Sequence, residues 1–147
     1  YLKEIVASFK ETSNKEFILN FDQDSNSKKI TKSIEIIYGL RNFVGNANKF
    51  CKNKIYISLK SNNEITEIVI EDDGMGYPAD ILSKIGEPYL QTPNNKENKS
   101  KSGLGLGIFI GKTLLEKNFA VINCRNSKTR SGAEVVINWK NSDLFKI

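Results

Sequence analysis

Ile68-Val69-Ile70-Glu71-Asp72-Asp73-Gly74-Met75-Gly76 carries an apolar run straight into an acidic, glycine-rich loop. Thr66, Ile68 and Ile70 alternate with polar neighbours, the period of a half-buried strand, and the same parity delivers Asp72 to the covered face. A carboxylate there can accept from an exocyclic amine such as that of adenine, while Gly74 and Gly76 leave room for a flat ring. The segment also fits a plain tight turn, for which Asp-Gly is common. Asp73 reads as a solvated neighbour.

Upstream, Ile55, Ile57 and Leu59 alternate in the same way and Ser61-Asn62-Asn63-Glu64 is turn-like, so a β-hairpin is expected. From Ser33 to Phe50 the apolar face Ile36, Leu40, Phe43 and Ala47, widened by Ile37 and Val44, predicts an amphipathic helix. Asn42, Asn46 and Lys49 lie on another face of it. Asn46 is a neutral oxygen donor suited to Mg²⁺, Asn42 is placed to orient a water or metal-bound group, and Lys49 to neutralise phosphate charge. Asparagines so spaced also fit a face turned to water.

Downstream, Gly103, Leu104, Gly105, Leu106 and Gly107 lead into a predicted helix over 107–117, bearing Ile108, Ile110, Leu114 and Leu115. A helix start offers free N–H groups and a positive dipole end to phosphates. A P-loop reading fails, because Gly111-Lys112-Thr113 would need a glycine where Leu106 stands. The dinucleotide fingerprint fails as well, since Ile108 and Ile110 fill its third-glycine slots. Pro78 to Ile85 reads as a short helix, and the polar stretch Gln91 to Ser102 as a mobile lid.

Towards the ends, Leu2, Ile5, Val6 and Phe9 outline a first helix over about 1–12, and Phe17, Leu19 and Phe21 a strand, with Ile30 read as the start of a short edge strand. Ala120 to Cys124 and Glu134 to Trp139 suggest a terminal strand pair with Val135, Ile137 and Trp139 facing inward. Helices and strands alternate without a regular βαβ repeat. That order predicts one α+β domain over 1–147, a two-layer sandwich with a mixed sheet covered on one face by helices.

Composition narrows the function. With 39% hydrophobic and 27% charged residues in 147, the chain is an ordinary globular domain, and no apolar run approaches the roughly 18 residues of a membrane span. The net charge of +5 is scattered among acidic residues without a basic-aromatic stripe, which disfavours nucleic acid and suits a polyanionic small ligand. Two isolated cysteines and no histidine leave no zinc site, disulfide framework or histidine-based triad. The first residue, Tyr1, opens directly on helical periodicity, which suggests a piece of a longer protein.

In order, these segments resemble the ATP-binding domain of sensor histidine kinases, within the wider superfamily of gyrase, Hsp90 and MutL ATPases. Asn42 to Phe50 resembles the N box, Asp72 to Gly76 the first glycine box, Glu87-Pro88-Tyr89 part of the F box, Gly103 to Gly107 the second glycine box, and Ser131-Gly132-Ala133 the final glycine element. Ile37 to Asn42, Asp73 to Pro78, Ile85 to Tyr89 and Phe109 to Glu116 are similar to the redox-responsive RegB/PrrB branch.

This resemblance implies a Bergerat-type fold binding ATP and Mg²⁺. Asn46 would hold the metal; Asp72, Gly74, Gly76, Tyr89 and Gly103 to Gly107 would contact nucleotide with Lys49. The γ-phosphoryl group would pass to a histidine on an upstream dimerisation domain, then to a response regulator. It further implies a cytoplasmic domain of a homodimeric parent attached to the inner membrane. Departures are Gly86 for the usual F-box Phe, Ala133 without a hydroxyl, and Gly45 and Asn48 in the N box. A pseudokinase that senses nucleotide, or an ATPase of another branch, would carry the same segments. In the latter, Asn42 stands where a water-activating Glu is needed.

Overall fold

The computed structural model describes residues 2–11, 15–21, 33–82 and 102–144. Strands β1 (Glu16–Phe21), β2 (Lys54–Ser61), β3 (Ile65–Asp72), β4 (Val121–Asn126) and β5 (Ala133–Lys140) form one sheet in the order β1-β2-β3-β5-β4. The β2–β3 and β4–β5 hairpins are antiparallel as expected, and β3 pairs antiparallel with β5. β1 lies parallel to β2. Periodicity could not foresee that pairing, because a strand's partner and direction are fixed by the rest of the fold.

Burial alternates along β2 and β3, and the covered face carries Ile55, Ile57, Leu59, Ile68 and Ile70, joined by Val135, Ile137 and Trp139 of β5. Helices α1 (Leu2–Glu11), α2 (Ile34–Phe50) and α4 (Ser102–Lys117) contribute Ile5, Phe9, Ile36, Leu40, Phe43, Ile108 and Leu115 to the same core. The result is a mixed sheet with helices on one face, in the two-layer α+β form expected. α3 (Ala79–Leu82) is the described part of the short helix predicted after Pro78, and α5 (Asn141–Leu144) was not foreseen.

Helix α2 starts where Ser33, in extended backbone, accepts from Ile36 N at 3.3 Å, and ends with Cys51 N donating to Ala47 O at 2.9 Å. Its contact with α4 is close. A Cβ at Gly39 would come within 2.6 Å of Leu115 Cγ, and one at Gly111 within 3.1 Å of Gly39 O. Small residues therefore let the two helices meet almost backbone to backbone, which sets α2's asparagine face against the first turns of α4.

One boundary differs from expectation. α4 begins at Ser102, so Gly103, Leu104, Gly105, Leu106 and Gly107 are helical rather than a loop leading into the helix, and Ser102 belongs to the helix rather than to the lid. Glycine disfavours a helix by about 1 kcal/mol each. Elongating a helix already docked through Ile108, Gly111 and Leu115 is far easier than nucleating one, and outweighs that penalty. Ile30, Ile85 and the lid 91–101 lie outside the described residues.

Candidate nucleotide site

Strand β3 ends in Asp72, only 4% exposed. Its Oδ1 accepts from Gly74 N at 2.8 Å and more weakly from Ala133 N at 3.4 Å. Among the described residues, no donor reaches Oδ2. Burial raises the carboxyl above its ordinary value, opposed by the two N–H groups, while the charge on Asp73 adds to the rise. The β4–β5 hairpin presses from below: a Cβ at Gly132 would stand 2.0 Å from Asp72 O and 2.2 Å from Oδ1.

Asp73 is partly exposed, in line with a solvated neighbour, but it also anchors backbone. Its carboxylate accepts from Lys52 N at 2.8 Å and Asn53 N at 3.1 Å, tying down the turn between α2 and β2. Desolvation raises this group, but the N–H groups of Asn53, Lys54 and Lys52 outweigh it and hold the pKa below the ordinary value. A carboxylate at the start of a loop was legible; its partners, twenty residues away, were not.

A cavity of about 90 Å³ opens beside Asp72, lined by Phe43, Asn46, Ala47 and Phe50 of α2, Ile70 and Asp72 of β3, Met75 to Pro78, and Ala133 and Val135 of β5. Asp72 and Asn46 thus share one cleft. Its walls are apolar apart from a few converging polar groups, the usual make-up of a site for a flat heterocycle. Gly76 lines it with φ +78°, a conformation that favours glycine. Gly74 does not line it; its missing side chain makes way for Phe50 O, which a Cβ would approach to 2.2 Å.

Asn46 Nδ2 is one of three described buried polar side-chain atoms without a hydrogen-bond partner, the others being Glu35 Oε2 and Asn138 Oδ1. Of the three residues, Asn46 alone lines the cavity. The amide lies against α4, where a Cβ at Gly107 would stand 3.2 Å from Asn46 Oδ1. The unpartnered Nδ2 can donate to a ligand acceptor such as a phosphate oxygen, and the Oδ1 of the same amide is the kind of neutral oxygen that ligates Mg²⁺. The amide, with its oxygen for the metal and its N–H group for phosphate, and the room left at Gly107 fit Mg-ATP.

The other predicted residues are placed less centrally. Asn42 Nδ2 donates to Tyr38 O at 2.8 Å, so that amide is turned back onto its own helix. Lys49 is exposed, its Nζ 5.4 Å from the Phe50 ring centre. Leu106 is exposed on α4. Tyr89 lies outside the described residues. Neither cysteine forms a disulfide; burial raises both thiols, Cys124 to about 11.

Residues 31–143 match the family described as histidine kinase-, DNA gyrase B- and HSP90-like ATPase. The sensor histidine kinase RegB of Cereibacter sphaeroides is 34% identical over 130 residues, covering 79% of this chain and 28% of that protein. The chain therefore spans little more than a quarter of that relative. Among solved structures, a mycobacterial sensor histidine kinase, MprB, superposes with a TM-score of 0.71 at 18% identity, covering 94% of this chain and 91% of that one. The nucleotide-free catalytic domain of histidine kinase ThkA gives 0.70 at 20% identity, with 94% and 89% covered.

Proposed function

The chain belongs to the histidine kinase-, DNA gyrase B- and HSP90-like ATPase family, and we propose that it is the catalytic ATP-binding domain of a two-component sensor histidine kinase. The observation that carries this reading is the shared cleft, with a buried carboxylate on one wall and a partnerless amide on the other. Asp72 Oδ2 accepts from the adenine amino group, and Gly76 and Tyr77 form the wall beside the ring. Asn46 would hold Mg²⁺, and the first turn of α4, from Ser102, together with Lys49, would take the phosphates. Bound Mg²⁺ supplies charge neutralisation on the transferring phosphoryl group.

The chain's own work is positioning. It has no histidine, so the phosphoacceptor lies on another segment, read here as an upstream dimerisation domain of a homodimeric parent that then serves a response regulator. Among the described residues no helix is long and apolar enough to cross a membrane; attachment to the inner membrane is assigned to the parent, and this domain to the cytoplasmic side. Asn42 would support the metal-bound or reacting group. Being neutral and bonded to Tyr38 O, it is a poor base for activating water, which favours phosphoryl transfer over steady hydrolysis.

Calorimetric titration of Mg-ATP into the wild type, Asn46→Ala and Asp72→Asn tests the assignment. We expect affinity to fall about tenfold or more in each variant. Magnesium dependence should be lost only in Asn46→Ala. Unchanged affinity in both variants would remove the reading. Transfer to a histidine-bearing helix supplied in trans then separates a kinase from a nucleotide-sensing pseudokinase.

A further inference from the structure

We infer that Asn126, the last residue of β4, is a positioning residue for the nucleotide site, holding the Gly76–Pro78 wall at a fixed height beside Asp72; this rests on the nucleotide reading above. Asn126 Oδ1 accepts from Tyr77 N at 2.6 Å, and its Nδ2 donates to Tyr77 O at 3.1 Å. One side-chain amide thus serves both backbone groups of a single residue, as a neighbouring strand would. It does so beyond Asp72, where β3 has left the sheet and has no strand partner. Asn126 itself does not line the cavity, whereas Met75, Gly76, Tyr77 and Pro78 do.

Three further contacts make the arrangement specific. Gly76 sits so close that a Cβ there would meet Asn126 Oδ1 at 2.7 Å, so the clamp and the glycine require each other. The Tyr77 ring is buried, and its hydroxyl neighbours Cys124, two residues earlier on the same face of β4. Ser131 Oγ donates to Gly74 O at 3.3 Å from the same hairpin. The N–H and the C=O of Tyr77 are therefore both held by one side chain of β4, and its ring is buried beside the same strand. An amide is the side chain with both a donor and an acceptor on one planar group, which is what such a double bond to backbone needs.

A loop held this way fixes where the base can lie relative to Asp72 Oδ2. Loosening it should blur the reading of the base more than it weakens phosphate contacts. Competition of a fluorescent ATP analogue by ATP and by inosine triphosphate, which carries an oxo group in place of the 6-amine, reads that distinction. Asn126→Ala should weaken ATP about tenfold and lower the ATP-over-inosine-triphosphate preference at least about threefold. Asn126→Asp, which keeps the acceptor and loses the donor, should fall between. Amide exchange at Tyr77 should quicken at least about tenfold in Asn126→Ala.

A role confined to stability would weaken both nucleotides equally and leave their ratio fixed; that result, or an unchanged ATP affinity with an unchanged Tyr77 amide, overturns the inference alone. A wild-type chain that binds neither nucleotide overturns the functional reading and this inference with it.

Discussion

Strand β3 buries a polar side chain near each end, Thr66 at 5% and Asp72 at 4% exposure, and the two ends are finished in opposite ways. At the first, the Thr66 hydroxyl donates to Asn141 Oδ1 at 2.7 Å and meets Ser61 Oγ at 2.9 Å. Asn141 in turn donates from Nδ2 to Asn62 O at 2.7 Å and from its backbone N to Glu64 O at 2.8 Å. These contacts close on one another. At the second end, among the described residues, hydrogen bonds reach only one Asp72 oxygen, and across the cleft Asn46 Nδ2 has no partner.

Buried polarity that is satisfied rigidifies a fold, whereas buried polarity left open costs stability until something binds. The Thr66 end locks the β2–β3 turn to the start of α5. The Asp72 end leaves an acceptor and an amide open, and on the proposed reading nucleotide binding would return the stability withheld there.

The severest way to break the contrast is to crowd the Asp72 end. Gly132→Val places a branched side chain where even a Cβ would meet the Asp72 backbone carbonyl at 2.0 Å, an atom that cannot swing aside. We expect a loss of about 3 kcal/mol by urea unfolding, at the upper end of ordinary overpacking, together with loss of ATP binding. Near-native stability would mean that the β4–β5 hairpin does not buttress Asp72.

A crossed pair sharpens the comparison. Thr66→Val keeps shape but leaves Asn141 Oδ1 and Ser61 Oγ without the hydroxyl, at a cost of about 1–3 kcal/mol, with ATP affinity unchanged. Asn141→Ala should act in the same direction, because it strands Thr66 and Asn62 O. Asp72→Asn should do the reverse: its carbonyl oxygen still accepts from Gly74 N, so stability holds or rises at neutral pH while ATP affinity falls about tenfold. If both variants lowered stability and affinity together, the division of labour along β3 would be lost.

Much of this division was legible in the chain, though unevenly. Period-two alternation placed Thr66, Ile68, Ile70 and Asp72 on one face, and period 3.6 placed Asn46 on a face apart from Ile36, Leu40 and Phe43. Those signals are local. What escaped was whatever depends on a distant neighbour: Asp73 bonding to Lys52 and Asn53, Asn126 clamping Tyr77, Asn141 completing Thr66, and the close crossing of Gly39 and Gly111. Asn and Gly look alike in sequence whether they turn a loop or hold two segments together. The glycines from 103 to 107 misled for the same reason, since packing on α2 rather than their own propensity decides that they are helical.

The smallest effect is a pH dependence, and it bears on the same end of β3. Burial, opposed by Gly74 N and Ala133 N, lifts the Asp72 carboxyl above its ordinary 3.8. Between 3.8 and that raised value the folded chain holds a proton that the unfolded chain has released, so Asp72 lowers stability as pH rises through the window. Asp73, held below 3.8 by the N–H groups that outweigh its desolvation, contributes stability that is present above 3.8 and lost as pH falls through its depressed value. The two therefore act in adjacent windows with opposite sign.

If Oδ2 accepts from the base as proposed, protonating Asp72 also weakens that acceptor. Wild-type ATP affinity should then fall, relative to Asp72→Asn, as pH drops through the raised value, and the ratio of the two affinities cancels the protonation of ATP itself. Titrations from about pH 7 to about pH 4 measure that ratio, which should shrink towards unity at the acid end. A ratio that stays constant would mean that Oδ2 does not serve as the acceptor, and the two ends of β3 would then differ in burial partners but not in purpose.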